Sequence, residues 1–407
     1  MTRRLDRDGL LGLVLVALSA VIYWLANRGF DAGRGDFFYL ADAFLHGRTW
    51  LDFQPGPYDV IIEAGHFYVP FAPFPAVALM PLVALVGPLT ADQWESGVNA
   101  LLAAAGVGMC WWLLGRIEVA RRSDRIWLTV LFGFSTQILW VTTRGGVWHT
   151  GHLVATILTF ACLIELWGRQ RAWLIGLMAG AAFLTRAPLA LAVPFYALLL
   201  TAAPSRPRLD VPGQYIERAG TVPWRSWFRL AVGVAPAIVV FFAYNQVRFG
   251  TPLESGYALA TLPPFLEVLR DQGLFALAHV PMNLNYFLVH LPIPIPVFPF
   301  IQPDGLGMSV LLTSPGLLFA FLADWRERRS WLLLGAALAV LVPTLMYYGG
   351  GWLQYGYRYF LDSVPFVIAL CGLAAVRRGE VGTGWRALIA FGVVINAIGV
   401  YWAYNLR

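Results

Sequence analysis

Lysine is missing from this chain: all 29 basic side chains are arginines. That absence reflects codon composition rather than mechanism. Charge of either sign is scarce, at 13% of residues. The arginines fall in short runs between apolar segments, which excludes a basic patch for nucleic acid. Cysteine is nearly absent too. Cys110, Cys162 and Cys371 lie inside apolar stretches, with no metal-ligand spacing and no basis for a disulfide framework. Each reads as a small hydrophobe. No internal repeat is evident, which counts against transporters built from inverted repeats.

What fills the chain instead is apolar. It is 58% hydrophobic and 15% aromatic, where a soluble domain is about half apolar and about a quarter charged. One soluble core cannot absorb that excess, but lipid can, and Trp and Tyr collect at its interfaces. Apolar segments of about 15 to 22 residues, the length of a bilayer-crossing helix, recur throughout. They are Leu10–Ala26, Glu95–Gly115, Ile126–Thr143, Gly151–Trp167, Trp173–Leu184, Leu189–Ala202, Leu230–Val247, Leu306–Ala323, Trp331–Tyr348, Phe360–Val376 and Trp385–Tyr404. The fifth and sixth are short and leave open a single broken helix. The first outruns the apolar run of a signal peptide and reads as an uncleaved anchor.

A twelfth apolar stretch, Phe71–Val86, decides the topology. Met1–Arg7 carries three arginines, which places the N-terminus in the cytoplasm by the positive-inside rule. Counting Phe71–Val86 as a span would then send the Arg116–Arg125 run outside. Taken as surface-lying or re-entrant, as its prolines favour, it leaves 20 of the 29 arginines on the inner side. All six histidines then fall on the outer side or at outer span ends. The sequence therefore predicts an all-α polytopic membrane protein, one integral domain over residues 1–407, with about eleven spans by the length criterion. It runs N-in and C-out, and its large outer loops cover residues 27–92 and 248–305. The inner loop Pro204–Arg229, basic and proline-rich, reads as a solvated connector.

In the first outer loop, Asp36–His46 has the spacing of an amphipathic helix. Phe37, Leu40, Ala41, Phe44 and Leu45 form one face, with Gly47 as the C-terminal cap. Such a helix is expected in the interface plane with its apolar side in lipid. Asp36 at its start suits an N-cap, a role compatible with chemistry. Val60–Ile62 and His66–Val69 flank a hairpin turned at Gly65, and Pro292–Pro296 reads as a rigid turn in the second loop.

These segments together resemble the GT-C glycosyltransferases, most closely their protein O-mannosyltransferase-like branch. An arginine-flanked first span is followed by Gly35–Ala41, Gly47 and a Pro/Phe-rich entry into a surface helix. Trp148–His152, Thr185–Pro188, Tyr244–Asn245, Arg248–Gly250 and Gln354–Tyr359 with Asp362 extend the likeness. The resemblance implies inverting transfer of a monosaccharide from polyprenyl phosphate on the outer, extracytoplasmic face of a bacterial cytoplasmic membrane. It implies an Asp base just after the first span, and Asp36 matches that position. Two features depart from the pattern. Asp36 is followed by Phe37 where many relatives carry an acidic pair, and Pro70–Pro75 replaces a Lys-Pro-Pro element. Asp42 and Asp52 therefore remain rivals for the base.

The residues fit that chemistry. Inversion needs a carboxylate near the acceptor hydroxyl, and the departing lipid phosphate needs cations or amide donors. Arginine meets phosphate with a planar two-point contact, and Arg358, Arg186 and Arg144 lie at predicted outer span ends. Asp362, four residues after Arg358, is placed to pair with it on one helix face. His149 and His152, three apart, suit substrate hydrogen bonding more than metal, as do Asp42, Glu254, Tyr257, Gln354 and Tyr355. No cofactor is certain, and a divalent metal stays open. The partners implied are a polyprenyl-phosphate-linked sugar, a glycan, lipid or protein acceptor, and membrane lipid. The alternative function is a transporter or flippase for a lipid-linked or small polar solute. It is disfavoured because Glu165, near an inner end, is the one mid-span acid, so the charges favour a site at the outer interface.

Overall fold

The computed structural model describes residues 7–27, 34–202, 224–351 and 354–405. Arg3, Arg4 and most of the Pro204–Arg229 connector lie outside the described residues. The chain opens with α1 (Arg7–Ala26), α2 (Asp36–Leu45), α3 (Phe74–Val86), α4 (Pro88–Gln93), α5 (Glu95–Arg116) and α6 (Arg122–Phe134). A single turn, α7 (Ile138–Val141), leads to α8 (Val147–Leu166), α9 (Ala172–Phe183), the 3-10 segment Ala187–Ala192 and α10 (Val193–Leu199). Next come α11 (Trp224–Phe249) and the short α12 (Pro264–Arg270), α13 (Val280–Leu284) and α14 (Val310–Thr313). The 3-10 segment Pro315–Leu322, α15 (Arg328–Met346), α16 (Val364–Arg378) and α17 (Thr383–Asn405) complete the chain. Antiparallel hairpins β1 (Ile61–Glu63) with β2 (His66–Tyr68), and β3 (Ile293–Pro294) with β4 (Ile301–Gln302), sit in the two large loops. The first turns through Ala64 and Gly65 at φ 50° and 80°, the left-handed pair that a two-residue hairpin favours.

Among the described residues six helices, α1, α5, α8, α11, α15 and α17, are long and apolar enough to cross a membrane. The other five expected spans are helical but short or broken, because proline or a 3-10 turn interrupts each of them except α6–α7 and α9. Hydrogen bonds sort the helix ends into two groups. At one end Asn27, just past α1, donates to the carbonyls of Ser96 and Thr142, at 2.6 and 3.2 Å. The same end holds both large loops, where Trp402 Nε1 donates to Ile301 O at 2.7 Å. At the other end Asp8 pairs with Arg122 and Arg125, Asp124 with Arg386, and Glu165 with Arg171. We call these the loop end and the basic end.

The stretch after α9 returns to the basic end, where Arg329 donates to Ala202 O at 3.1 Å. Residues 172–202 are therefore an antiparallel pair rather than one broken helix. Helix α3 begins at the loop end, where Phe74 N donates to Leu184 O at 3.0 Å, and α5 starts from that same end. The 13 residues of α3 reach only about 20 Å at the helical rise. That is short of the roughly 30 Å of bilayer hydrocarbon.

One expectation fails. Helix α2 does not turn its apolar side to lipid. Phe37, Phe38, Leu40 and Ala41 are buried against Leu51, Val69, Ala76, Leu79, Val83 and Val147, while Leu45 is exposed. Helix α3 covers the face, because two apolar surfaces close in sequence bury each other. Elsewhere, α9 and α11 touch backbone to backbone. A Cβ added to Gly176 would fall 2.1 Å from Leu230 O, and one on Gly233 2.1 Å from Trp173 O.

Candidate active site at the loop end

Asp36 opens α2 and is fully buried. It does not cap the helix. Its carboxylate accepts from Arg34 at two points, Nη2 to Oδ2 at 2.7 Å and Nε to Oδ1 at 3.2 Å, the strong planar geometry for this pair. Burial opposes the Arg34 charge, yet the Asp36 carboxylate raises its pKa further. Arg34 also donates from Nη1 to Tyr58 O at 3.0 Å and lies 5.0 Å from the centre of the Trp148 ring. Its own carbonyl accepts from Val147 N at 3.0 Å. The indole of Trp148 in turn donates to Asp59 Oδ2 at 3.1 Å. Burial pushes the Asp59 carboxyl up, against the pull of Arg34 and the Trp148 N–H. The first loop is thus tied to the start of α8 by two carboxylates, one arginine and one indole.

A second buried cluster stands beside it. Asp362 is fully buried. His152 Nδ1 donates to its Oδ1 at 2.9 Å, and Arg186 Nε donates to its Oδ2. The expected pairing with Arg358 is therefore replaced, because the turn after α9 brings Arg186 to Oδ2 while His152 holds Oδ1. Tyr359 stacks over this group, its ring 5.5 Å from the Arg186 guanidinium and 5.4 Å from that of Arg358. His149 Nδ1 donates to Gly145 O at 2.9 Å. The Nε2 atoms of His149 and His152 are buried with no hydrogen-bond partner among the described residues. Arg358 lies within electrostatic reach of both histidines and of Asp59.

The other expected site residues fall less centrally. Arg144 shares a small pocket with Trp140, Gln354, Tyr355 and Trp402. Gln354 is turned inward, donating to Leu306 O at 2.7 Å and accepting from Arg358 N at 3.1 Å. Tyr355 is buried and donates to Ile395 O. Glu254 accepts from Gly256 N at 2.6 Å. Tyr257, whose hydroxyl burial pushes up in pKa, lies within electrostatic reach of Arg186 and Asp59. Asp42 is half-exposed, its backbone carbonyl 2.9 Å from His46 Nδ1, and Asp52 is exposed and pairs with Arg48. Among the described residues no group of three or more His, Cys, Asp or Glu is placed to share a metal.

Sequence reading overlooked Arg34, Asp59 and Glu95. The signal for Arg34 was its place two residues before Asp36. Asp59 sits in a loop without periodicity, and no spacing pointed to it. Glu95 looked like a span boundary, yet it is buried and accepts from Thr150 Oγ1 at 3.1 Å.

No family model matches the chain, and no curated protein matches it. Solved structures do. ArnT from Cupriavidus metallidurans bound to undecaprenyl phosphate aligns with 97% of this chain at a TM-score of 0.51 and 14% identity. The fold is GT-C-like. The alignment covers 64% of that protein, so the chain spans under two thirds of its length. The apo oligosaccharyltransferase of Archaeoglobus fulgidus is a fainter likeness, with TM-score 0.45, 15% identity, and 97% and 55% of the two chains covered. In this GT-C-like fold both charge clusters lie at the loop end, the first on the loop that follows α1.

Proposed function

We propose that the chain is a glycosyltransferase that moves a monosaccharide from polyprenyl phosphate to an acceptor hydroxyl, with inversion, at the extracytoplasmic membrane face. One observation carries this reading. A buried carboxylate after the first helix, Asp36, shares one end of a GT-C-like bundle with Arg358, Arg186, Arg144 and two histidines whose Nε2 atoms have no partner among the described residues. The ArnT structure with that fold holds undecaprenyl phosphate, and arginine is the side chain suited to such a headgroup.

Asp36 is the general base. As the acceptor oxygen forms its bond to the anomeric carbon, its proton passes to Asp36. The bond to the phosphate oxygen breaks, and the electron pair leaves with the lipid phosphate. Arg358, Arg186 and Arg144 stabilise the charge that develops there. Arg34 holds both Asp36 oxygens at rest, and a donor phosphate that draws the guanidinium away frees the base. His149, His152, Asp42, Glu254 and Tyr257 contribute substrate contacts, while Gln354 holds the backbone of Arg358 and Tyr355 lines the pocket beside Arg144. The site lies at the membrane–water boundary, where a lipid-borne sugar arrives.

The test uses membranes carrying wild-type or Asp36→Asn protein and radiolabelled polyprenyl-phosphate sugars. Transfer should be lost in Asp36→Asn while undecaprenyl phosphate still binds. Full activity in the variant removes Asp36 as base and turns attention to Asp42 and Asp52. If the wild type transfers no sugar from any donor but moves labelled lipid between leaflets, the flippase reading replaces this one.

A further inference from the structure

Asp59 belongs to the first of the two charge clusters and lies within electrostatic reach of Arg358 as well as Arg34, and its situation differs from that of Asp36 and Asp362. Those two are sealed, with both oxygens bound to protein. Asp59 is half-exposed. Its Oδ2 accepts from Trp148 Nε1 at 3.1 Å, and its Oδ1 has no protein partner among the described residues.

Its backbone is nonetheless clamped from several sides. Asp59 N donates to Thr261 O at 2.8 Å, and Thr261 N donates back to Val60 O at 2.8 Å. Arg34 takes the carbonyl of Tyr58. Asp59 itself sits at φ 54°, a left-handed conformation that persists where the surroundings impose it, and such positions gather at functional sites. The segment is thus rigid, its carboxylate direction is fixed by an indole N–H, and one oxygen is left for a ligand.

Aromatic side chains stand near this carboxylate. Trp148 touches the carboxylate, and Tyr257 and Tyr348 lie within its electrostatic reach. Tyr347 links the rings, its centre 6.5 Å from that of Tyr257, 4.6 Å from Tyr348 and 6.2 Å from Tyr359. An ionised carboxylate only accepts hydrogen bonds, so it repels a phosphate and welcomes hydroxyls. Aromatic faces beside a few fixed polar groups suit a ring with apolar C–H faces and polar edges.

We propose that Asp59 is a substrate-contacting residue that hydrogen-bonds the hydroxyls of a sugar ring lodged against Trp148, Tyr257 and Tyr348. This rests on the glycosyltransferase reading. The ring belongs either to the donor sugar or to a glycan acceptor, and the two sources separate by experiment.

Binding is read without turnover, by saturation-transfer NMR on the purified full-length protein with a panel of methyl hexosides and pentosides. Wild type should bind at least one of them. Asp59→Asn should weaken that binding about tenfold, the size expected when a hydrogen bond to a charged group is lost. Trp148→Phe, which keeps a ring but drops the N–H, should weaken it less. Glu380→Gln, in an exposed pair with Arg121 at the basic end, should bind as wild type does. Undecaprenyl phosphate, read by thermal shift, should bind all four proteins alike.

No glycoside bound by wild type, or unchanged binding in Asp59→Asn, overturns the proposal. So does joint loss of glycoside and undecaprenyl phosphate, which marks Asp59 as a structural residue. Should Asp59→Asn fail to fold, the Trp148→Phe measurement decides. In the transfer assay a raised KM for the lipid-linked donor assigns the ring to the donor sugar, and a raised acceptor KM assigns it to a glycan. Failure of the transfer assay with glycoside binding intact counts against the transferase reading alone.

Discussion

Replacing Asp362 by Asn removes the negative charge that two buried partners share. The side chain of Asp362 has no solvent exposure, His152 has 1% and Arg186 has 19%. Breaking a buried pair from one side costs about 3–5 kcal/mol, because the remaining charge is left uncompensated. The partial exposure of Arg186 and the face of Tyr359 nearby place the expected loss near the lower limit, at about 3 kcal/mol. Asparagine still accepts from His152 through its amide oxygen, so that contact contributes little to the difference. Arg186→Met alone leaves the carboxylate buried with His152 only, and costs a similar amount. The double variant, Asp362→Asn with Arg186→Met, carries no unpaired charge and should recover much of the loss. A coupling of about 2 kcal/mol is the size found between residues in direct contact.

The assay is denaturant unfolding of the detergent-purified protein, followed by tryptophan fluorescence, for wild type, both single variants and the double. Two results refute the reasoning: Asp362→Asn as stable as wild type, or strictly additive effects of the two substitutions. Recovery of stability without recovery of transfer would further separate scaffold from chemistry at this cluster.

Other outcomes follow from the same geometry. Gly176→Val drives a side chain into the carbonyl of Leu230, and overpacking of this kind costs about 1–3 kcal/mol or more; a melting temperature equal to wild type refutes the close contact. Asp59 has its pKa raised by burial, so the folded state binds its proton more tightly than the unfolded state. Stability should therefore fall as pH rises from the ordinary aspartate range through the raised value, and Asp59→Asn should flatten that slope in pH-resolved melting curves. The three native cysteines are buried, so thiol labelling reports on introduced ones. From outside the cell an impermeant maleimide should mark Ala72→Cys and spare Ser123→Cys; the reverse pattern overturns the orientation.

The sequence made the helical membrane architecture legible because lipid imposes length and hydropathy on every crossing, and charge bias then orders the ends. It also exposed Asp36, since an amphipathic run must start somewhere and the start was an acid. What it concealed was partnership. The spacing of Arg358 and Asp362 suggested a pair along one helix, but the partner that arrived was Arg186, 176 positions away. Periodicity describes one helix at a time and carries no information about which turn of another will face it. The same limit hid the burial of α2, whose apolar side is indistinguishable in sequence from one that meets lipid. Asp59 was hidden for a different reason: it lies in irregular chain, where no period exists to be broken.

The glycine contact between α9 and α11 also bears on how the protein is made. Helix α10 and the connector after it are synthesised between the two partners, so α9 enters the membrane with its small-residue face bare. That face stays open until α11 emerges and reaches back past its predecessor to fill it. Most of the surface of α11 is left uncovered by the rest of the fold, and it docks through this contact, through the bond from Trp227 Nε1 to Ala197 O, 2.9 Å long, and at its far end through Arg248 Nη1, which donates to Val69 O at 3.1 Å. Biogenesis therefore holds a waiting period in which a half-built bundle presents an adhesive stripe of glycine to any neighbouring helix. Stalled or truncated chains ending near Ala202 should be the ones that the membrane's quality control must recognise.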